Sequence, residues 1–369
     1  MMTHEQYLTT KRFPALDGVR AIAAVLVVVF HYGGPTLVRA NGWIGVHLFF
    51  VMSGFLITTL TLREEDRNGR ASLANFYIRR AFRILPVYYV ILAMIVVFIY
   101  LRGALHTSGI IGALPWNLTF MGEFHQMTMF GQAWTLGVEQ KFYVLWPLLA
   151  FAIAGLGFVK RLSLALGLVT MLIVLVTVIP YASAFASILV GCALAIALHY
   201  RKGFAALRVF THPAVGIVVA VLLIVVQMYV FEIGAFLHDE GNVYTVLGYV
   251  VLAALLVPSL VAGGSPLTWV LSRAPMRWIG ERSYALYLVQ QLVAAVVVAA
   301  LPQFGPHRAL TAVAVTIAGL LVADVLYRWV ELPMIELGRR IIANRQQRRT
   351  SREATPEAAT SRPEPAPVG

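Results

Sequence analysis

Charge is scarce in this chain. Only 12% of its 369 residues are Asp, Glu, Lys or Arg, against 59% hydrophobic residues, and a single soluble core of that make-up is excluded. Cysteine is nearly absent, and Cys192 alone permits neither an internal disulfide framework nor a cysteine metal site. Also missing are a phosphate-binding glycine loop, a dinucleotide fingerprint, a His-Glu-x-x-His pair and any fixed-period repeat. Nucleotide hydrolysis, a permanently bound cofactor and a metal are therefore not expected. Acidic residues are the scarcer sign, 17 against 29 Lys and Arg. In a membrane protein the placement of the basic residues matters more than their sum, so the net charge of +12 implies no nucleic acid.

What the chain has instead is apolar runs of bilayer-spanning length. Ten lie near 19–36, 43–62, 84–101, 142–158, 162–179, 183–199, 214–231, 243–262, 284–301 and 309–330. If the ends of the chain are cytoplasmic, only Arg39, Arg102, Lys141 and Arg308 of the 29 basic residues fall on the far face. The expected fold class is thus an all-α polytopic integral membrane protein in the cytoplasmic membrane, with about ten transmembrane helices and both termini cytoplasmic. A transmembrane domain over 1–335 would be followed by a basic, disordered cytoplasmic tail over 336–369, rich in Ala, Glu, Pro, Thr and Arg. The first apolar run is too long for the core of a cleavable leader. The longest far-side loop, near 102–141, holds His106, Glu123, His125 and Glu139, and loops of that length are often functional.

Arg20 and His31 sit in the first run. Helix geometry places them within about 20° of one face and about 16 Å apart along the axis, so a cation near one surface shares a face with an imidazole deep in the bilayer. An intramembrane histidine is a functional candidate by default, although such residues also serve as interhelical glue. Arg79 and Arg83, at i and i+4 with Arg80 beside them, would share a helix face. They serve either as positive-inside anchors or as an anion clamp, since arginine offers a planar fork to phosphate oxygens. Glu139 is expected at the outer mouth, where a carboxylate can orient His31 or bind sugar hydroxyls. Further candidates are Asp17, His47, Ser53, Trp134 and Gln290; packing is the plain alternative for Ser53, and an aromatic belt for Trp134. Asp324 and Arg328, at i and i+4, are expected to neutralise each other.

Taken in order, several of these stretches resemble the membrane-bound acyltransferase family 3. The most specific is Arg20, ten residues, then His31, preceded by Leu16-Asp17-Gly18. Gly45 to Ile57 is similar to the family's second-span signature, and Phe76 to Pro86 to its basic motif. Trp134 to Trp146, Ser283 to Leu288 and Arg328 to Pro333 follow in the family's order. The sequence departs at His47, where aspartate is frequent, at Gln140, where a second glutamate is common, at Gln290, where histidine often ends the motif, and at Leu332, where arginine is frequent.

The resemblance implies an integral membrane O-acyltransferase that moves an acyl group, usually acetyl, from acyl-CoA to a hydroxyl of a carbohydrate, lipid-linked glycan or macrolide. On that reading Arg20, Arg79, Arg80 and Arg83 hold the anionic head of acyl-CoA, and His31 acts as general base or transient acyl carrier, assisted by Glu139. Some relatives carry a fused extracytoplasmic hydrolase-like domain. Residues 331–369 leave no room for one, so direct acylation or a separate extracytoplasmic transferase is expected. The rival is a transporter or flippase with a His31 and Glu139 proton relay; unbroken spans without an inverted repeat weigh against it.

Overall fold

Backbone in hydrocarbon finds no water, so each apolar run must satisfy its own hydrogen bonds as a helix. The computed structural model describes residues 2–125, 128–152, 156–179, 181–305 and 308–353, and no strand occurs among them. A short helix α1 (His4–Thr9) precedes α2 (Pro14–Tyr32), α3 (Gly45–Asn68) and α4 (Leu73–Leu101). Next come α5 (Ile110–Leu118) in the long loop, α6 (Trp134–Phe151), α7 (Phe158–Val174) and α8 (Ala182–His199). The second half holds α9 (Pro213–Met228), α10 (Val230–Phe236), α11 (Val243–Ala262), α12 (Ala274–Ala300), α13 (Ala309–Leu326) and α14 (Leu332–Glu353).

Each of the ten apolar runs coincides with a helix over most of its described length, but fewer helices are clearly bilayer-spanning. Seven described helices are long and apolar enough to cross a membrane, or eight if α9 and α10, bent by 78°, form one broken span. α7 is only 17 residues long, and α6 carries Glu139, Gln140 and Lys141 in its first half.

Three boundaries differ from the sequence reading, each for a local reason. Gly33-Gly34-Pro35 stops α2 at Tyr32, with Gly34 at φ 72°, so His31 falls in the last turn of its helix and not deep inside it. α6 begins at Trp134, which puts Glu139 within a helix instead of in the loop before one. At the other end, a π turn at Tyr327–Glu331 runs directly into α14, so the stretch from 336 to 353 is helical where composition suggested disorder. The remainder of that tail, 354–369, lies outside the described residues.

Small residues let the helices touch backbone to backbone. A Cβ built on Gly54 of α3 would lie 1.9 Å from the Ile188 carbonyl oxygen of α8, and one on Gly191 of α8 would lie 2.1 Å from the Val51 oxygen of α3. This is the close approach that small residues permit between membrane helices. Gly191→Leu is expected to force α3 and α8 apart, costing about 1–3 kcal/mol or more. Thermal denaturation in detergent should show a clear fall in the midpoint; an unchanged midpoint would speak against the contact.

Polar pairs fix the basic end of the bundle. Glu64, Glu65 and Asp66, consecutive on α3, pair with Arg79 of α4 at 2.6 Å, Arg161 of α7 at 2.7 Å and His199 of α8 at 3.0 Å. Asp324 accepts from Arg328 at 2.9 Å, as its spacing suggested, and also from Arg282 at 2.6 Å. One acidic run thereby ties three helices to a fourth.

Candidate functional site

Five helices converge on a cavity of about 350 Å³. α2 contributes Asp17 and Arg20, α3 contributes Ser53, α4 contributes Arg80 and Arg83, and α6 contributes Thr135, Glu139 and Tyr143. α12 adds Glu281, Ser283, Tyr284 and Tyr287, and the segment before α2 adds Lys11 and Arg12. Spacings of three and four residues along each helix place these side chains on its inward face. The lining carries five cations, Lys11, Arg12, Arg20, Arg80 and Arg83, against the carboxylates of Asp17, Glu139 and Glu281. That balance favours an anionic occupant.

Glu139 is the fixed point of the cavity. The Ser53 hydroxyl donates to its Oε1 at 2.9 Å and the Tyr143 hydroxyl to its Oε2 at 2.9 Å, so both oxygens are held in place. The guanidinium of Arg80 lies 5.6 Å from the centre of the Tyr143 ring and 5.7 Å from that of Phe76. Among the described residues neither Arg20 nor Arg80 makes an ion pair or a side-chain hydrogen bond. Two forked cations therefore face the cavity without a partner among the described residues, an arrangement suited to phosphate or carboxylate oxygens. Arg83 is partly engaged, its Nε 3.9 Å from Glu331 Oε1, and that carboxylate is 2% exposed.

The structure separates the sequence candidates into two groups. Asp17, Arg20, Ser53, Arg80, Arg83 and Glu139 line one cavity. Arg79 does not, because its pair with Glu64 draws it outward, and the expected face shared by Arg79 and Arg83 is split between a salt bridge and the cavity. His47 is buried, its Nδ1 2.9 Å from Ser187 Oγ; that hydroxyl donates to the Ser183 carbonyl at 2.6 Å and so accepts from the ring. It links α3 to α8. Trp134 stacks on Tyr181 with centroids 4.8 Å apart. Buried Gln290 donates to the Tyr287 carbonyl at 3.1 Å, and its Oε1 has no partner among the described residues.

His31 is outside the cavity lining and exposed at the far end of α2. Its Nδ1 lies 2.8 Å from the Val27 carbonyl oxygen. A carbonyl only accepts, so Nδ1 carries the proton and the lone pair of the neutral ring sits on Nε2. The ring lies on the same helix face as Arg20, about 16 Å further along. Val46, Phe50, Thr135, Leu136 and Tyr287 also line the cavity.

Residues that sequence reasoning did not single out include Tyr143, Tyr284 and Tyr287. Tyr284 donates to the Ile84 carbonyl at 3.0 Å and Tyr287 to the Gln132 carbonyl at 3.2 Å, so each ties α12 to a neighbouring segment while lining the cavity. The i, i+4 spacing of Tyr143 from Glu139 was the available signal. No group of three or more His, Cys, Asp or Glu among the described residues has the arrangement of a metal site.

Residues 13–328 match a family described as an acyltransferase domain, across nearly all of the cavity-forming helices. The chain belongs to the acyltransferase 3 family. It is 28% identical to the peptidoglycan O-acetyltransferase OatA of Listeria monocytogenes, over 89% of this chain and 56% of that protein. Similarity extends to the putative peptidoglycan O-acetyltransferase YrhL of Bacillus subtilis, 28% identical over 77% of this chain and 48% of the relative. The O-acetyltransferase OatA of Staphylococcus aureus is 25% identical over 90% of this chain and 59% of its own length. The chain spans about half the length of these curated relatives. No solved structure gives a significant match. Family membership places the cavity among acyltransferases, and the transporter reading gains no support.

Proposed function

We propose that the protein is a membrane O-acyltransferase that carries an acetyl group from cytoplasmic acyl-CoA to a hydroxyl of a glycan at the opposite membrane face. The names of the relatives make a peptidoglycan sugar the first acceptor to test. In this reading the chain crosses the cytoplasmic membrane ten times with both termini cytoplasmic, and the cavity mouth at Lys11 and Arg12 opens to the cytoplasm. The observation that carries it is the guanidinium pair of Arg20 and Arg80, without an ion-pair partner among the described residues, beside a rigidly held carboxylate, with Arg20 on the helix face of α2 that ends in His31.

The donor's phosphates bind the arginines, and its pantetheine arm runs along α2 towards the imidazole. His31 Nε2 takes the proton of the acceptor hydroxyl as that oxygen attacks the thioester carbonyl. The C–O bond forms, the C–S bond breaks, and the thiolate leaves and recovers the proton from the imidazolium. If His31 instead carries the acyl group, Nε2 attacks the thioester carbonyl and expels the thiolate; the hydroxyl oxygen then attacks the acylimidazole carbonyl, the C–N bond breaks to release the imidazole, and the hydroxyl proton passes to the thiolate. Glu139, with both oxygens occupied by hydroxyls, holds the charge of Arg20 and Arg80 in place.

A second reading follows from one observation, that Glu139 lines the cavity and His31 does not. There Glu139 is the base and His31 holds the acceptor. Glu139→Gln separates the two: a loss of about tenfold in kcat with His31 as base, and of about a hundredfold or more with Glu139 as base. The activity itself is tested by incubating membranes with radiolabelled acetyl-CoA and peptidoglycan fragments. Label should move to the sugar in membranes containing the protein; no transfer to any glycan would count against the function.

A further inference from the structure

The residues ahead of a first membrane span need only supply positive charge to set orientation, and a loose tail does that. Here the segment is fastened down. The Met2 amide donates to the Ala262 carbonyl at 2.8 Å, and Thr3 and Gln6 close a capping box at the start of α1. Tyr7 is fully buried, its ring 5.9 Å from Phe13 and 5.7 Å from Phe204, and burial pushes its hydroxyl up to about 12. From α3, Arg63 donates Nη2 to the Tyr7 carbonyl and Nη1 to the Thr10 carbonyl, both at 2.6 Å. Its guanidinium lies 5.1 and 5.2 Å from the centres of the Tyr7 and Phe13 rings.

Lys11 and Arg12 sit between those anchors. Thr10 is fixed on one side and Phe13 on the other, so the backbone of the two cations is held at the cavity mouth. Both are exposed, both line the cavity, and neither makes an ion pair or side-chain hydrogen bond among the described residues. Arg83 lines the same mouth. The facing carboxylates are Asp17 and Glu281, and Glu281 lies 3.7 Å from Arg282. Cations thus occur at two depths, with Arg20 and Arg80 inside and this set outside. One compact anion has no use for both.

We propose that Lys11 and Arg12, with Arg83, form an outer anion subsite that binds the ribose 3′-phosphate of a coenzyme A donor, and that Arg63 positions it. The inner arginines are then left for the pyrophosphate. This rests on the reading of the donor as acyl-CoA. It makes the N-terminal segment a determinant of donor specificity as well as a topological anchor.

The test is binding of coenzyme A and of 3′-dephospho-coenzyme A to the full-length protein in detergent, by calorimetry. The unaltered protein should bind coenzyme A about tenfold or more tightly than the dephospho form, the usual worth of charge-assisted contacts to one phosphate. In the Lys11→Ala/Arg12→Ala variant that preference should vanish, with dephospho-coenzyme A bound as before. Lys11→Arg should retain it, and Arg63→Met should weaken it without altering the two cations. Equal binding of both ligands by the unaltered protein, or a preference that survives Lys11→Ala/Arg12→Ala, overturns the subsite and leaves the donor reading standing. Binding of neither ligand overturns both.

Discussion

His31→Ala is expected to remove acyl transfer, with kcat falling by about 10²- to 10⁴-fold, while the protein inserts normally and binds donor as before. That range is what one positioned proton transfer contributes. The Val27 carbonyl, 2.8 Å from Nδ1, fixes the tautomer, and in the proposed mechanism Nε2 is the atom that accepts a proton or an acyl group. The ring is exposed at the end of α2, which the proposed orientation turns towards the acceptor hydroxyl. An unchanged affinity for coenzyme A alongside lost turnover would separate chemistry from binding. Full glycan acetylation by the alanine variant would remove His31 from the mechanism.

Arg20→Ala should act at the other end of the same helix face. Its guanidinium has no ion-pair partner among the described residues, and its electrostatic neighbours are Arg83, Asp17, Glu331 and Glu139. Removing it takes a forked donor from the bound anion and leaves the Glu139 charge facing the cavity with Arg80 alone. The donor KM should rise by about ten- to a hundredfold, the worth of one or two charge-assisted hydrogen bonds. Arg20→Lys keeps the charge but loses the fork, so it should recover only part of the loss. A KM unchanged in Arg20→Ala would show that the donor binds elsewhere.

The helical, membrane-spanning character of the chain was legible because apolar runs of spanning length leave the backbone no other structure. Which residues meet inside was less so. The Gly33-Gly34-Pro35 break is local and readable, yet the apolar run continues past it, and the placement of His31 shifted with the helix end. Glu139 was read as a loop residue because Trp134 to Lys141 is polar enough to hide the first turns of α6. The arginines of α4 could not be sorted from their own spacing. Arg79 leaves the cavity because Glu64, on another helix, pairs with it at 2.6 Å. Lys11 and Arg12 were not among the sequence candidates, since nothing near them in sequence signals that Arg63 will pin their backbone. Short-range pattern therefore identified the motif, and long-range pairing decided the membership of the site.

Transfer across the membrane is the central claim, and sealed proteoliposomes test it most directly. Radiolabelled acetyl-CoA is supplied only on the side of the N-terminal segment, with a peptidoglycan fragment enclosed on the other side. Labelled O-acetyl groups should accumulate on the enclosed fragment, and His31→Ala proteoliposomes should show none. Acetylation that requires donor and acceptor on the same side would contradict the account.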